Sequence, residues 1–344
     1  MFSARALLTA TLVVGALGVG ACSSGNGGGG ATQAAAASAT GPVTLRIGDQ
    51  NNAVKTLFDA SGAATGASYK IEWDGFTDGP HMNAAFSANR IDAGYMGDTP
   101  AIFAAAAKAG VRVIATAKAT QQTSGYYQFL TRPGSGINSL ADLKGKRLAA
   151  TRSTALEGYL LEVLHTVHLT AKDFTLVDVP LTTLTSTLVS GGADAAISYE
   201  PATTAYLAKT PGAKQLAVPE IPIFSVELAS QKSLGDRAKR VALIDFVGRL
   251  AKAESWRQAN PDKWIDAYYV GLLHAPAAVG QKIFQTVGRY HYVAVTGSGL
   301  ESHLEDQQKL FEAGGELPRG AYIATLFDEQ DNRDFDAAIA GGKS

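Results

Sequence analysis

The sequence predicts an α/β protein of two lobes with a hinge and a cleft between them. The chain has 344 residues, which is more than one domain usually contains. Apolar residues make up 46% of it and charged residues 18%, so it can bury a sizeable core. From Pro42 onward, short β-type runs alternate with helix-type stretches, and the alternation occurs twice. Strands joined by helices in this order predict a mainly parallel sheet in each lobe.

The first lobe begins with Val43–Ile47, where apolar and polar residues alternate as in a half-buried strand. Pro100 stands in the first turn of one predicted helix, a position that tolerates proline. The predicted strands are Val43–Ile47, Tyr69–Trp73, Ile91–Met96, Val111–Ala117 and Tyr126–Leu130, and the predicted helices are Val54–Phe58, Pro80–Ala88 and Pro100–Ala109. Trp73 is expected in the core.

The second lobe repeats this order on a smaller scale. Its predicted strands are Arg147–Ala150, Phe174–Val177, Ala193–Ser198 and Gln215–Val218, and its helices are Ser139–Asp142, Ala155–His168, Leu181–Ser190 and Ala202–Lys209. The apolar run Phe224–Leu228 returns the chain to the first lobe. The helices Asp236–Ala259, Asp262–Gly271, Pro276–Gly288 and Gly299–Ala313 follow, the last ended by two glycines. Lobe 1 is therefore expected at 43–131 and 222–344, and lobe 2 at 132–221.

The N-terminus has the pattern of a secretory signal. Arg5 precedes a short apolar run, and small residues follow it, so residues 1–21 are predicted to be a signal peptide. The segment Val19–Cys22 resembles a bacterial lipobox, in which the cysteine thiol takes a diacylglycerol. Residues 22–42, rich in glycine and alanine, predict a flexible tether. Acylation of Cys22 would anchor an exported protein to the outer face of the cytoplasmic membrane, through lipid alone.

Composition excludes several classes of function. The net charge of −1 argues against nucleic acid as a partner. The single cysteine cannot form an intramolecular disulfide or a thiolate zinc site. The sequence contains neither a nucleophile elbow nor a phosphate-binding loop, so an enzyme is not expected. A monomer without cofactor or metal is expected.

Several predicted strand ends are followed by polar loops that lead into helices. The carboxyl ends of strands in open α/β sheets bind ligands, and free N–H groups at helix starts attract anions. The same residue types are also ordinary helix caps. The candidate ligand-binding residues are Gln50, Asn51, Asn52, Phe76, Gly79, Pro80, His81, Asp98, Thr99, Arg152, Ser153, Thr154, Glu157, Tyr199 and Glu200.

Four segments resemble a known family. Gly79–Ala84 is similar to the G-P-Q-M-x-A segment of periplasmic aliphatic-sulfonate-binding proteins, and Ile91–Phe103 to their I-D-x-G-x-x-G-D-x-P-x-I-F. Ile137–Lys146 resembles a widespread I-x-S-x-A-D-L-K-G-K, and Val189–Pro201 the segment that closes the second lobe. The resemblance implies a type II periplasmic-binding-protein fold, with the C-terminal helices packed on lobe 1. It also implies an ABC permease as partner and a small sulfonate-like ligand.

The chain departs from the family pattern at the loops. Asp49-Gln50 stands for Tyr-Gln, and Arg152–Thr154 for Lys-Gly-Ser. Glu157-Gly158 stands for His-Asn, and Tyr199–Pro201 for Trp-Asp-Pro. The added carboxylates favour a zwitterion such as taurine, or a neutral polar solute. Arg152 is expected to hold the sulfonate across the cleft, because a guanidinium binds two oxygens at once.

Other interpretations remain at this point. The protein could sense a ligand for a membrane receptor, or bind nitrate or another small polar solute, or act as an extracytoplasmic enzyme with Asp98 and Glu200 as acid and base. Glu162, His165 and His168 lie one turn apart, but they are expected to face solvent rather than to bind a metal. A separate group of aromatic residues is expected to pack between helices: Trp256, Trp264, Tyr268 and Tyr269. Tyr126, Tyr127, Gln121 and Gln122 lie near the expected lobe crossing.

Overall fold

A computed structural model describes residues 42–119, 127–287, 290–320 and 322–343. The predicted signal peptide, most of the tether and Cys22 lie outside the described residues, as do Gln121, Gln122 and Tyr126. Within the described part of the chain, no helix is both long and apolar enough to cross a bilayer.

Two separate sheets contain the described strands. The strands are β1 Thr44–Gln50, β2 Lys70–Phe76, β3 Ala93–Gly97, β4 Val111–Ala119, β5 Tyr127–Thr131, β6 Arg147–Ala150, β7 Thr175–Asp178, β8 Ala195–Tyr199, β9 Lys214–Gln215, β10 Phe224–Ser230 and β11 Tyr290–Val293. The first sheet has the order β11-β4-β10-β3-β1-β2, and the second has the order β7-β6-β8-β5-β9. We call each sheet with the helices packed on it a lobe, the first sheet forming lobe 1.

Helices cover the sheets and fill the space between successive strands. They are α1 Ala53–Ser61, α2 Gly79–Ser87, α3 Thr99–Ala106, α4 Ala155–Thr166, α5 Leu184–Val189, α6 Ala202–Lys209, α7 Gln231–Gly235, α8 Arg237–Ala259, α9 Pro261–Trp264, α10 Ala277–Val287, α11 Leu300–Gly314 and α12 Glu329–Gly342. A π-helix, Ile265–Leu272, follows α9 directly, where the sequence predicted one continuous helix from Asp262 to Gly271. Strand β11 and helix α12 were not predicted from the sequence.

Both sheets are mixed, so the prediction of mainly parallel sheets is wrong. In lobe 1, β1 pairs in parallel with β2 and β3, but β10 lies antiparallel between β3 and β4, and β11 is antiparallel to β4. In lobe 2, β6 is parallel to β7 and β8, whereas β5 is antiparallel to β8 and β9. The antiparallel strand β10 follows the last strand of lobe 2, which explains why local periodicity does not reveal its direction.

The strand β5 belongs to lobe 2, although the predicted boundary at 131 assigned it to lobe 1. Tyr127 is paired with Tyr199 and Thr131 with Ala195, so the whole strand is in register with β8. All of its residues are buried. The second sheet therefore begins by residue 127, at least five residues before the predicted boundary.

The C-terminal helices pack as the resemblance implied, with one difference. Helices α8 and α12 pack against each other, α8 contacts α1, and α12 contacts β4, all within lobe 1. Trp73, which was expected in the core, is only partly buried and packs against the lobe 1 core, with its ring 5.4 Å from Phe58 and 6.2 Å from Phe246. Helix α11, however, contacts both α3 of lobe 1 and α4 of lobe 2. It therefore connects the two lobes.

Candidate functional site

A cavity of about 820 Å³ is lined by residues of both lobes. Lobe 1 contributes the ends of β1 and β3, and lobe 2 contributes the start of α4, the end of β8 and much of α6. This position agrees with the rule that open α/β sheets bind ligands at the carboxyl ends of their strands. The volume lies within the range of cavities that enclose small organic ligands.

The structure brings six of the predicted residues to the wall of this cavity and leaves the others outside it. Those at the wall are Gln50, Asn51, Gly79, Thr154, Tyr199 and Glu200. Those outside the wall are Asn52, Phe76, Pro80, His81, Asp98, Thr99, Arg152, Ser153 and Glu157. The side chains that lie outside have structural contacts that explain their placement.

The start of α1 is occupied by a carboxylate of the chain itself. Asp49 is fully buried on β1, and its oxygens accept hydrogen bonds from the amides of Val54 at 3.1 Å and Lys55 at 2.7 Å. Burial raises the pKa of Asp49 to about 6, while the amide hydrogen bonds oppose that rise. The N–H groups that could attract an anion at this helix are therefore already satisfied.

The starts of α2 and α3 are capped in the same way. Asp78 accepts a hydrogen bond from the His81 amide at 3.0 Å, and the His81 side chain is 70% exposed. Asp98 accepts one from the Thr99 amide at 2.7 Å, and both residues are buried. Asp78 and Asp98 thus act as helix caps, the structural alternative that such residue types always offer.

Arg152, which was expected to hold the sulfonate across the cleft, is not among the residues that line the cavity. Its Nη1 lies 2.6 Å from Glu316 on the segment after α11 and 3.8 Å from the buried carboxylate of Glu157. Glu157 also accepts a hydrogen bond from the Ser153 amide at 2.6 Å. Burial, followed by the charge of Glu316, raises the pKa of Glu157 to about 8. These side chains therefore form an ion-pair network between α4 and the C-terminal segment.

The start of α4 differs from the other helix starts of the cleft. Thr154, Ala155 and Leu156 line the cavity, and the amides of Ala155 and Leu156 donate to no acceptor among the described residues. The Thr154 hydroxyl donates to the Thr151 carbonyl at 2.7 Å, which leaves its oxygen able to accept. In the same lobe, Glu200 accepts hydrogen bonds from the Thr204 amide and hydroxyl, at 3.1 and 3.0 Å.

A second part of the cavity wall was not predicted. Helix α8, the π-helix and neighbouring segments contribute a group that we call the aromatic compartment: Glu254, Arg257, Trp264, Tyr268 and Tyr269. The sequence analysis expected Trp264 and both tyrosines to pack between helices. They do pack there, with the Trp264 and Tyr268 rings stacked at 4.7 Å and 9°, but they also face the cavity. The run of aromatic residues at helical spacing was the available signal.

The charged pair of the aromatic compartment is tightly held. Arg257 donates from Nε and Nη2 to one oxygen of Glu254, at 2.9 and 2.6 Å, and its Cζ lies 5.4 Å from the Trp264 ring centroid. Burial lowers the pKa of Arg257, but Glu254 more than compensates and the net pKa is raised. The guanidinium therefore remains charged at the wall of the cavity.

Glu162 is also placed differently from the prediction. It points inward and lies 3.3 Å from Nδ1 of His303, whereas His165 and His168 are exposed as expected. Burial raises the pKa of Glu162 to about 7. In the described part of the chain, no group of three His, Cys, Asp or Glu side chains is arranged to hold a metal ion.

Comparisons with known proteins agree with this geometry. Residues 51–218 match the family described as "ABC transporter, phosphonate, periplasmic substrate-binding protein". An Escherichia coli (strain K12) protein, named as binding aliphatic sulfonates, is 31% identical over 37% of this chain and 40% of its own length. A Brucella abortus (strain 2308) protein, named as a binding protein, is 24% identical over 73% of this chain and 80% of its own length.

A solved structure shows the same fold. The alkanesulfonate-binding protein SsuA from Xanthomonas axonopodis pv. citri, bound to MOPS, matches with a TM-score of 0.72 and 24% identity. The match covers 83% of this chain and 98% of that protein. The periplasmic-binding-protein fold implied by the sequence resemblance is confirmed. Residues 51–218 are therefore similar to the periplasmic substrate-binding proteins of ABC transporters, and the chain has the fold of such a protein.

Proposed function

We propose that this protein captures an organosulfonate outside the cytoplasm and delivers it to the membrane permease of an ABC importer. The observation that carries the proposal is a cavity lined by both lobes, with hydrogen-bond donors and apolar walls. A ligand that contacts both walls stabilises the arrangement in which the lobes are close together. A permease can then distinguish the loaded protein from the empty one.

The charges at the wall favour a singly charged or zwitterionic ligand. Glu200 and Glu254 are the carboxylates among the described lining residues, and Arg257 and Lys209 are the fixed cations. A sulfonate carries one negative charge, which this balance accommodates. The ammonium group of an aminosulfonate would be attracted by either carboxylate, in line with the taurine-like ligand inferred from the sequence.

A phosphonate is the second candidate, because the matching family is described by that ligand. A phosphonate near neutral pH carries up to two negative charges. Each additional charge increases repulsion from the carboxylates of Glu200 and Glu254. We therefore rank a sulfonate above a phosphonate.

The test is a binding screen followed by an uptake assay. Ethanesulfonate, taurine, hexanesulfonate, hexylphosphonate and nitrate are each added to the purified protein during thermal unfolding. A compound present at a hundredfold excess over its dissociation constant adds about 2.7 kcal/mol of apparent stability. We expect a clear increase in melting temperature with at least one sulfonate, and loss of uptake of that compound in a strain lacking the gene.

Two results would reject this function. A shift with phosphonate or nitrate but with no sulfonate would reject the ligand class and keep the receptor. Normal uptake in the deletion strain, despite tight binding, would reject transport and favour a sensor.

We also propose that Cys22 carries the lipid anchor, on the basis of the Val19–Cys22 segment and the glycine-rich residues after it. The experiment compares detergent partitioning of the full-length chain and its Cys22→Ser variant, both expressed in a bacterium. We expect the parent chain in the detergent phase and the variant in the aqueous phase or unprocessed. A parent chain that stays in the aqueous phase would refute the anchor.

A further inference from the structure

The cavity contains two places where an anion could be bound. One is the start of α4, with the amides of Ala155 and Leu156. The other is the aromatic compartment, with the side chains of Arg257 and Trp264. The first offers partial charges of backbone amides only. The second has a full positive charge and a further observation that points to a ligand.

That observation is an unused donor on Trp264. The side chain is 3% exposed, and its Nε1–H has no hydrogen-bond partner among the described residues. Tyr268 stacks on the indole, Arg257 lies over it, and Trp264 is one of the residues that line the cavity. A buried donor without an acceptor is unfavourable, and a ligand oxygen placed there would remove that cost.

Arg257 lies beside this donor and has hydrogen-bonding capacity left. Glu254 accepts from Nε and Nη2, both through the same carboxylate oxygen, whereas Nη1 donates to no acceptor among the described residues. A guanidinium presents donors in a planar fork, so one edge can pair with Glu254 while another faces a ligand. The indole N–H and the guanidinium are thus two adjacent donors.

The other cations are less suited to this role. Lys209 and His274 line the cavity but are exposed to solvent, where water competes for an anion. Arg152 is already paired with Glu316 at 2.6 Å and does not line the cavity. Among the described residues that line the cavity, Arg257 is the only arginine.

We propose that Arg257 and the indole N–H of Trp264 together bind the anionic group of the ligand, inside lobe 1. The inference rests on the proposed function in taking a sulfonate as that anionic group. The carbon body of the ligand then extends along the cavity toward Leu181 and Tyr199 of lobe 2. An amino group on the ligand, where present, is placed near Glu254, the partner of the anchoring arginine.

The first experiment observes the indole directly. The chain has three tryptophans, so a ¹H–¹⁵N spectrum contains few indole signals, and Trp264→Phe assigns the one in question. We expect hexanesulfonate to shift the Trp264 indole proton downfield, as a new hydrogen bond does, and hexanol to leave it in place. Shifted amides of Ala155 and Leu156 with an unmoved Trp264 indole would place the anion at α4 and overturn the proposal.

The second experiment measures affinity by calorimetry with hexanesulfonate, hexylphosphonate and hexanoate. Trp264→Phe removes the donor and keeps an aromatic ring, and it should weaken binding about fivefold. Arg257→Lys keeps the charge beside Glu254 but loses the planar fork, and it should weaken binding about tenfold. Trp73→Phe and Arg152→Lys are the matched controls, and each should leave the dissociation constant unchanged.

The outcomes distinguish the anion-binding role of Arg257 and Trp264 from the proposed function. If both test variants bind hexanesulfonate as tightly as the parent does, that role is rejected and the sulfonate receptor is kept. The parent protein could instead bind hexylphosphonate or hexanoate but not hexanesulfonate, with that binding lost in the variants. This result would keep the anion-binding role of Arg257 and Trp264 and reject a sulfonate as the ligand. Absence of binding by all three anions would reject both.

Discussion

The Nε2 atom of His303 lies 2.7 Å from a carboxylate oxygen of Asp98. Asp98 caps α3 in lobe 1, while the other ring nitrogen of His303 lies 3.3 Å from Glu162 on α4 of lobe 2. Gln307, one turn further along α11, accepts a hydrogen bond from Thr99 at 2.8 Å and donates to Glu162 at 3.2 Å. Helix α11 therefore joins the lobes through a buried polar cluster.

This cluster predicts that stability falls as the pH rises. Burial lowers the pKa of His303, but the hydrogen bond and charge of Asp98 outweigh it, so the net pKa is raised. Burial raises the pKa of Glu162 to about 7. Both groups bind protons more tightly in the folded state, so their contributions are full at low pH and are lost as pH rises. We expect the free energy of unfolding in urea to decrease between about pH 5 and about pH 8.

The variant Glu162→Gln assigns part of this slope. Asp49 and Glu157 also have raised pKa values and contribute with the same sign, so the parent protein alone does not identify the cluster. Removing the Glu162 carboxylate should make the decrease shallower between about pH 5 and about pH 7. Parallel curves for the variant and the parent would contradict the role of Glu162.

A second prediction concerns Arg152, whose partner Glu316 lies on the segment after α11. The pair is partly exposed, so Arg152→Ala should lower the free energy of unfolding by about 1 kcal/mol or less. The raised pKa of Glu157 limits the repulsion that remains near neutral pH. A double-mutant cycle with Glu316→Gln, followed by urea unfolding, measures the coupling. A coupling energy well above about 1 kcal/mol would show that the pair fastens the lobes together.

A third prediction concerns the contact between Gly97 of β3 and Ala155 of α4. A Cβ atom added at Gly97 would lie 2.5 Å from the Ala155 Cβ, which is too close for two carbon atoms. Gly97→Ala should therefore cost about 1–3 kcal/mol in the arrangement described, since overpacking forces neighbouring atoms apart. Adding Ala155→Gly removes the opposing methyl group and should restore most of the melting temperature. Failure of the second substitution to restore stability would place the strain elsewhere.

A fourth prediction concerns Asp92, which is 1% exposed between α2 and β3. Its carboxylate lies 2.9 Å from Arg46, 2.7 Å from Lys239 and 2.8 Å from the Ser233 hydroxyl. Asp92→Asn leaves these cations without their buried partner and should cost about 3 kcal/mol. Asp74→Asn is the matched control, because the Asp74–Arg90 pair is exposed and should cost less than about 1 kcal/mol.

The free energy of unfolding at acid pH provides a second test of the role of Asp92. Burial would raise its pKa, but the hydrogen bonds from Arg46, Lys239 and Ser233 hold it well below the ordinary value. The contribution of this group is therefore present above the ordinary aspartate pKa and is lost as the pH falls toward the folded-state value. We expect Asp92→Asn to unfold with a flatter pH dependence in the acid range. An unchanged acid limb would contradict this account.

The sequence predicted which loops lie at the cavity better than it predicted which of their side chains line it. Gln50, Asn51 and Thr154 lie at the wall because they follow strands whose carboxyl ends meet there. Asp98 belongs to a loop of the same kind, but a carboxylate one residue before a helix can cap the helix or face the cleft. The Asp98 carboxylate contacts His303 at 2.7 Å, a residue more than 200 positions away in the sequence, so its orientation could not be read from the local sequence.

The aromatic compartment was missed for a similar physical reason. Trp264 and Tyr268 have the spacing of a helix face, and such a face predicts burial without saying what it is buried against. The packing of α8 on α1 brings this segment to the end of β1, a long-range arrangement that local periodicity does not contain. The direction of β10 and the assignment of β5 to lobe 2 depend on the same kind of contact.

The wall of the cavity comes from two parts of the chain, one inside the segment that matches the family model and one outside it. The segment 51–218, which carries the family match, supplies the cleft loops and the lobe 2 side. Residues 250–292 supply the aromatic compartment and lie outside that segment. Side chains on α8, α9 and the π-helix can therefore be replaced, and the cavity wall changed, without altering the segment that carries the family match. Two proteins that share the family match over this segment can therefore differ in the lining of the cavity.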